Sequence, residues 1–121
     1  MFGTTPGAPP LVVVDWQTVT DGNAMMDLAY LFGGCFEPKH RADVERDLLA
    51  EYLRRLRAAG IDYDADTMWH DYRLASLWGV VMTVIATILA AETERGNEML
   101  TVMGQRHGRH ALDLGALDLL R

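Results

Sequence analysis

Residues 11–17 read Leu-Val-Val-Val-Asp-Trp-Gln, and residues 27–30 read Asp-Leu-Ala-Tyr. An apolar run that is rich in β-branched residues and ends at a polar one is typical of a buried strand. It is the one convincing strand in the sequence, and a single strand leaves its backbone edges unpaired. We therefore expect it to pair in a short hairpin with the segment before it, or with a strand outside this chain.

Asp15 follows this strand directly, at the end where α/β proteins bind their ligands. Three roles suit a carboxylate in that position. It could hold Mg²⁺ on a nucleotide, act as the nucleophile of a phosphatase, or only begin a turn. The phosphatase chemistry requires a second aspartate two residues later, where this chain has Gln17. Metal binding and the simple turn stay open on spacing alone.

This part of the sequence resembles a motif of small-molecule kinases. The motif consists of an apolar run, Asp15-Trp16-Gln17, a short loop and then Asp27-Leu28-Ala29. It is similar to the aminoglycoside phosphotransferases and, most of all, to their ecdysteroid-kinase-like branch. The resemblance implies a mainly α fold, the helical C-terminal lobe of the protein-kinase-like fold with a short N-terminal β-hairpin. The loop and hairpin would occupy residues 1–17, and a helical bundle would occupy residues 24–121.

The same resemblance implies ATP- and Mg²⁺-dependent phosphoryl transfer to the hydroxyl of a small-molecule substrate. Asp15 would be the metal ligand, and Asp27, at the start of a helix, would brace the catalytic loop from behind. Helices of this lobe line the acceptor pocket in such enzymes, so Trp69, Asp71 and Tyr72 are candidate substrate contacts. The alternative is that Trp69 and Tyr72 pack inward in the first turns of a helix.

The family's catalytic loop, of the form His-x-Asp-x-x-x-x-Asn, does not occur in the sequence: His40 and His70 both lack an aspartate two residues later. The phosphate-binding lysine is also missing, because the one lysine, Lys39, follows Asp15. We therefore assign no catalytic residue, and we expect an N-terminally truncated chain without N-lobe or catalytic loop. Such a chain would be catalytically incompetent, and whether it binds ATP and Mg²⁺ is left open. The alternative function is a non-catalytic helical interaction or dimerisation module.

Apolar residues at helical spacing, with caps and glycines between them, predict five helices. Gly33-Gly34 should end the first helix, Gly60 the second, and residues 94–97 should break the chain before the fourth. The predicted helices are Ala24–Phe32, Arg41–Ala59, Ala65–Glu92, Glu98–Arg109 and Ala111–Leu120.

Eighteen residues, Leu74–Ala91, carry no charge, which reaches the length of a transmembrane helix. No cluster of basic residues flanks them to set an orientation. We favour the other interpretation, a central helix of the lobe that is buried on most sides, and expect no membrane association. Where neighbours are missing, its apolar surface would drive homo-oligomerisation or hold the missing N-terminal half.

A net charge of −6 argues against nucleic-acid binding, and one lysine among eleven basic residues leaves no polybasic membrane patch. The single cysteine, Cys35, excludes an internal disulfide and favours a reducing compartment, the cytoplasm. His107 and His110 lie three residues apart, but no carboxylate or cysteine at helical spacing joins them. We expect them on a solvated surface rather than at a metal site.

Overall fold

The computed structural model describes residue 5, residues 7–14, residue 19 and residues 21–121. The part of the chain that it describes is mainly helical, which confirms the predicted fold class. The elements are α1 (Met25–Cys35), α2 (Pro38–Ala58), α3 (Ala65–Leu89), α4 (Glu94–Asp113) and a final 3₁₀ helix (Ala116–Leu120).

Eight of the seventeen residues of the predicted loop and hairpin lie outside this description, and Asp15 is one of them. Of its described residues, Leu11 forms an isolated β-bridge and residues 12–14 have no regular secondary structure. The side chains of residues 11–14 are exposed. The hairpin therefore stays a prediction.

Helix α1 begins where the side chain of Asn23 accepts a hydrogen bond from the backbone N–H of Met25, at 2.9 Å. The predicted end at Gly33-Gly34 is wrong, because the helix continues through both glycines to Cys35. Gly33 lies against α4, where a Cβ atom would come within 2.6 Å of His107 Nδ1. The glycine therefore serves close helix packing rather than termination.

Helix α2 starts with Pro38 in its first turn and ends at Ala58, close to the predicted bounds. Gly60 follows with a φ of 80°, a left-handed conformation that favours glycine, which confirms it as the stop. The next helix begins at a side-chain cap: Asp64 accepts hydrogen bonds from the backbone N–H and the hydroxyl of Thr67 at 2.8 and 2.9 Å.

The predicted break over residues 94–97 is wrong, since these residues form the first turn of α4. The hydroxyl of Thr93 accepts a hydrogen bond from the backbone N–H of Gly96 at 3.0 Å and so caps the helix. Threonine before a charged turn is a starting signal that outweighs the single glycine. The helix then runs to Asp113, so the predicted fifth helix is reduced to the 3₁₀ turn at Ala116–Leu120.

Helix α3 packs against α1 on one side and α4 on another, and α2 joins through its buried face. The core residues are Met25, Ala29, Phe32, Leu49, Leu53, Met68, Tyr72, Ala75 and Leu114. Leu49 and Leu53 lie on the apolar stripe that predicted α2. Truncation of a buried leucine such as Leu49 to alanine costs about 2–5 kcal/mol in proteins of this kind.

Helix α3 is buried on one face only, so the prediction that it is buried on most sides is wrong. Its neighbours α1 and α4 cover that face, and nothing in the described part of the chain covers the other. By length and composition α3 could cross a membrane, a test that core helices of soluble proteins also pass. It is the one such helix among the residues that the structure describes.

Candidate functional site

The three candidate substrate contacts occupy the first turns of α3, but their side chains have different surroundings. Asp71 faces a surface cavity, Trp69 is half-buried, and Tyr72 is fully buried. Side chains one to three residues apart on a helix point in different directions, which is why these three residues have different surroundings.

The carboxylate of Asp71 is held by two donors from outside α3. The side-chain amide of Asn23 donates to Asp71 Oδ2 at 2.7 Å, and the hydroxyl of Tyr63 donates to the same oxygen at 2.5 Å. Burial and this hydrogen bond to Asp71 raise the pKa of Tyr63 to about 12. Tyr63 therefore remains a proton donor at any physiological pH, and the orientation of Asp71 is fixed.

A cavity of about 330 Å³ lies beside this carboxylate. Its polar end is formed by Asn23 and Asp71, and the rest of the wall is apolar. The apolar residues are Met26, Leu74, Ala75, Leu77, Trp78 and Val81. A pocket with one oriented acceptor and apolar walls suits a small molecule with an apolar body and a hydrogen-bond donor.

Trp69 packs between two side chains. Its ring stacks on Tyr72 with centroids 5.6 Å apart, and the guanidinium of Arg46 lies 3.1 Å from the ring centroid. This geometry is a cation–π contact between α2 and α3. The tryptophan therefore joins two helices in the described fold.

The hydroxyl of Tyr72 lies in a buried polar network. It donates to Glu45 Oε2 at 3.0 Å and lies 3.0 Å from Nε2 of His110. Since the tyrosine proton goes to Glu45, His110 donates from Nε2 to the tyrosine oxygen. Burial and the adjacent charge of Glu45 raise the pKa of Tyr72 far above its ordinary value. The tyrosine is neutral and connects α2, α3 and α4.

Arg41 completes this network with two ion pairs. Its Nε donates to Glu45 Oε2 at 3.1 Å, and its Nη2 donates to Asp113 Oδ2 at 2.7 Å. The arginine is only 1% exposed. Burial acts to raise the pKa of Glu45, but the His110 ring, whose Nε2 lies 3.5 Å from Glu45 Oε2, the hydrogen bond from Tyr72 and the charge of Arg41 together lower it below its ordinary value. Glu45 is therefore ionised at neutral pH.

His107 and His110 are buried, so the prediction of a solvated surface is wrong. The His107 ring stacks on Tyr30 at 5.1 Å and inserts between Gly33 of α1 and Gly79 of α3. Neither ring nitrogen of His107 has a hydrogen-bond partner among the described residues. A single sequence cannot show this arrangement, since it depends on which two glycines face α4.

Acidification is expected to destabilise the fold below about pH 6.5. Burial lowers the pKa of both His107 and His110, so the unfolded chain binds protons that the folded chain does not. Stability is lost as the pH falls from about 6.5 through the folded-state pKa values, by at most about 1.4 kcal/mol per pH unit and histidine. The charges facing these rings are Glu45, Arg41 and Asp113, and Glu45 stays ionised over this range because its pKa is lowered.

Urea unfolding at pH 7.5, 6.5 and 5.5 checks this pH dependence. His107→Phe keeps an aromatic ring in place but cannot bind a proton, so we expect a shallower loss of stability for this variant. His70→Gln, a change at an exposed histidine, should show the same dependence of the unfolding free energy on pH as the wild type. If the unfolding free energy of His107→Phe depended on pH as steeply as that of the wild type, burial of His107 would not be a cause of the acid sensitivity.

Asp27 lies exposed in the first turn of α1, where the helix dipole favours a carboxylate. Within residues 21–121 and the shorter described segments, no three His, Cys, Asp or Glu side chains come together to hold a metal ion. The predicted ligand Asp15 lies outside the described residues, so its role and that of Asp27 remain predictions.

Residues 4–61, just under half of the chain, match the ecdysteroid kinase-like family. The matched segment contains both aspartates of the motif, together with α1 and α2. Comparisons with curated proteins and with solved structures gave no match.

Proposed function

We propose that this chain carries the metal-binding side of a phosphotransferase site, because residues 4–61 match the ecdysteroid kinase-like family. The reaction is ATP- and Mg²⁺-dependent phosphoryl transfer to the hydroxyl of a small molecule. The family match over Asp15 and Asp27 is the observation that carries this assignment. The reaction belongs in the cytoplasm, where the free thiol of Cys35 stays reduced.

The two aspartates have different tasks. Asp15 would hold Mg²⁺, which would neutralise charge on the nucleotide phosphates. Asp27, at the N-terminus of α1, would brace the catalytic loop, as the family resemblance implies. Neither task includes deprotonation of the acceptor, for which the sequence has no His-x-Asp-x-x-x-x-Asn loop. We therefore expect no turnover by this chain alone.

The cavity beside Asp71 is the proposed acceptor site. Its apolar wall would bury the body of the substrate, and the oriented Asp71 carboxylate would accept a hydrogen bond from a substrate hydroxyl. Trp69 and Tyr72 would not contact the substrate directly but would hold α3, and with it Asp71, in position. Tyr72 is fully buried, and its hydroxyl is hydrogen-bonded to Glu45.

Thermal unfolding with Mg²⁺-ATP tests the proposed function. A ligand at ten times its Kd stabilises the folded state by about 1.4 kcal/mol, which raises the Tm by roughly 5–6 °C for a chain of this size. We expect this rise for the wild type and none for Asp15→Ala. Asp62→Ala, a change at an exposed carboxylate in the turn between α2 and α3, is the matched control and should keep the rise.

Two results would contradict the assignment. One is a Tm that Mg²⁺-ATP leaves unchanged in the wild type up to millimolar concentration. The other is an equal rise in the Asp15→Ala variant, which would move the nucleotide site away from the motif. A phosphorylated product formed by the purified chain would contradict the expected lack of turnover.

A second candidate function is a non-catalytic helical interaction module. The exposed apolar side of α3 favours it, because soluble monomers seldom expose a continuous apolar patch of this kind. Such a module would show no thermal shift with Mg²⁺-ATP in either the wild type or the Asp15→Ala variant.

A further inference from the structure

Five exposed apolar residues follow one line along α3, which we name the α3 stripe. They are Leu74, Trp78, Val81, Ile85 and Ile88, with exposed fractions of 39, 38, 44, 38 and 75%. Their spacings alternate between four and three residues. This alternation, which runs over two heptads, is the spacing at which a second helix packs along the first in a coiled coil. The pattern therefore points to a helix as the occupant.

The chemistry of the stripe restricts that helix further. No charged residue lies between Leu74 and Ala91, so the stripe offers no ion pair to a polar partner. An apolar helix of similar length is required, and among the described helices only α3 itself meets this requirement. A second copy of the chain supplies it.

The exposed area is sufficient for a weak dimer. With Val84 and Leu89 beside the stripe, seven side chains of α3 are between 38 and 78% exposed. At roughly 170 Å² per fully exposed side chain of this size, they offer on the order of 600 Å² per copy. Stable complexes bury about 800 Å² per partner, so a dissociation constant in the micromolar range is expected.

Side-chain size favours an antiparallel arrangement. In a parallel pair each residue meets its own counterpart, and two Trp78 rings would compete for one position. In an antiparallel pair centred on Val81, Leu74 lies level with Ile88, and Trp78 lies near Val84 and Ile85 of the second copy. Large side chains then face β-branched ones, and the two helix dipoles oppose one another.

We propose that the α3 stripe is a homodimer interface, in which two copies pack antiparallel around Val81. The interface is separate from nucleotide binding, but Leu74, Trp78 and Val81 also line the cavity beside Asp71, so the dimer and a substrate in the proposed acceptor site would compete for these side chains. It buries the apolar residues that the other helices leave exposed.

Disulfide trapping in a Cys35→Ser background tests the interface and its direction. Val81→Cys should form a covalent dimer on mild oxidation, because the two thiols meet at the axis. Ile88→Cys should not link to itself, but it should link to Leu74→Cys when the two variants are mixed. This experiment does not depend on a destabilising substitution.

Sedimentation velocity gives the solution state. We expect a dimer at about 100 µM and a monomer below about 1 µM. Ile85→Glu should give a monomer throughout, whereas Leu112→Glu, a change at an exposed leucine of α4, should leave the dimer intact.

Four results would overturn this interface. They are a wild-type monomer at about 100 µM, efficient self-linking of Ile88→Cys, loss of the dimer in Leu112→Glu but not in Ile85→Glu, and binding of a monomer to neutral lipid vesicles. The last result would identify a membrane as the occupant of the stripe.

Discussion

Replacement of Gly79 by alanine is expected to destabilise the protein by about 3 kcal/mol, the upper end of the cost of overpacking, and to lower its Tm by about 10 °C. The new Cβ atom would lie 2.0 Å from His107 Nδ1, far inside van der Waals contact. The His107 ring cannot move aside, since Gly33 closes its other side and Tyr30 stacks on it. Circular dichroism on heating measures the effect.

Gly108→Ala is the matched control for this substitution. Gly108 also lies inside a helix, but a Cβ atom there would meet nothing within 4 Å. Alanine has the higher helix propensity, so we expect a gain of about 0.5–1 kcal/mol. The pair Gly79→Ala and His107→Ala should be less destabilising than the sum of the single changes. Additive effects would show that the ring does not cause the loss.

Replacement of Glu45 by alanine is expected to cost about 3–5 kcal/mol, the range for breaking a buried ion pair from one side. Two groups lose their acceptor, the guanidinium of Arg41 and the hydroxyl of Tyr72. Arg41 is almost fully buried and would keep only Asp113 as a counter-charge. Urea unfolding at pH 7.5 measures the difference.

Glu51→Ala is the control for Glu45→Ala, since Glu51 lies on the same helix and pairs with Arg54 and Arg55 on the surface. Water screens these pairs, so the change in stability should be small. If the two substitutions had equal effects, the buried network would not hold α2, α3 and α4 together. Arg41→Met with Glu45→Met should recover much of the loss, because the buried charge is then gone.

Local signals in the sequence were sufficient for most of the helical body. The apolar period through Leu49 and Leu53 predicted α2, and α3 begins at Ala65, where it was predicted, after the cap that the structure shows at Asp64. Both signals act within one or two turns of the chain. The errors at Gly33-Gly34 and at residues 94–97 arose where a glycine has another reason to be present, namely packing in the first case and a threonine cap in the second.

The buried network could not be predicted, because its members come from three helices. Arg41 and Glu45 on α2 have the four-residue spacing that is common for ion pairs on the surface of a helix, and His110 on α4 has no local signal of burial. Only the packing of α2 and α4 around Tyr72 brings them together. The Asp71 pocket is intermediate: the sequence suggested Asp71, but its partners Asn23 and Tyr63 follow from the fold.

Paramagnetic broadening by Mn²⁺-ATP tests the central claim, that the chain carries the metal-binding side of a phosphotransferase site. Mn²⁺ replaces Mg²⁺ at carboxylate sites and broadens nearby amide signals even when binding is weak. We expect broadening at Asp15 and at the start of α1 around Asp27, and its loss in the Asp15→Ala variant. Uniform broadening, or broadening centred on another acidic segment such as residues 62–66, would contradict the claim.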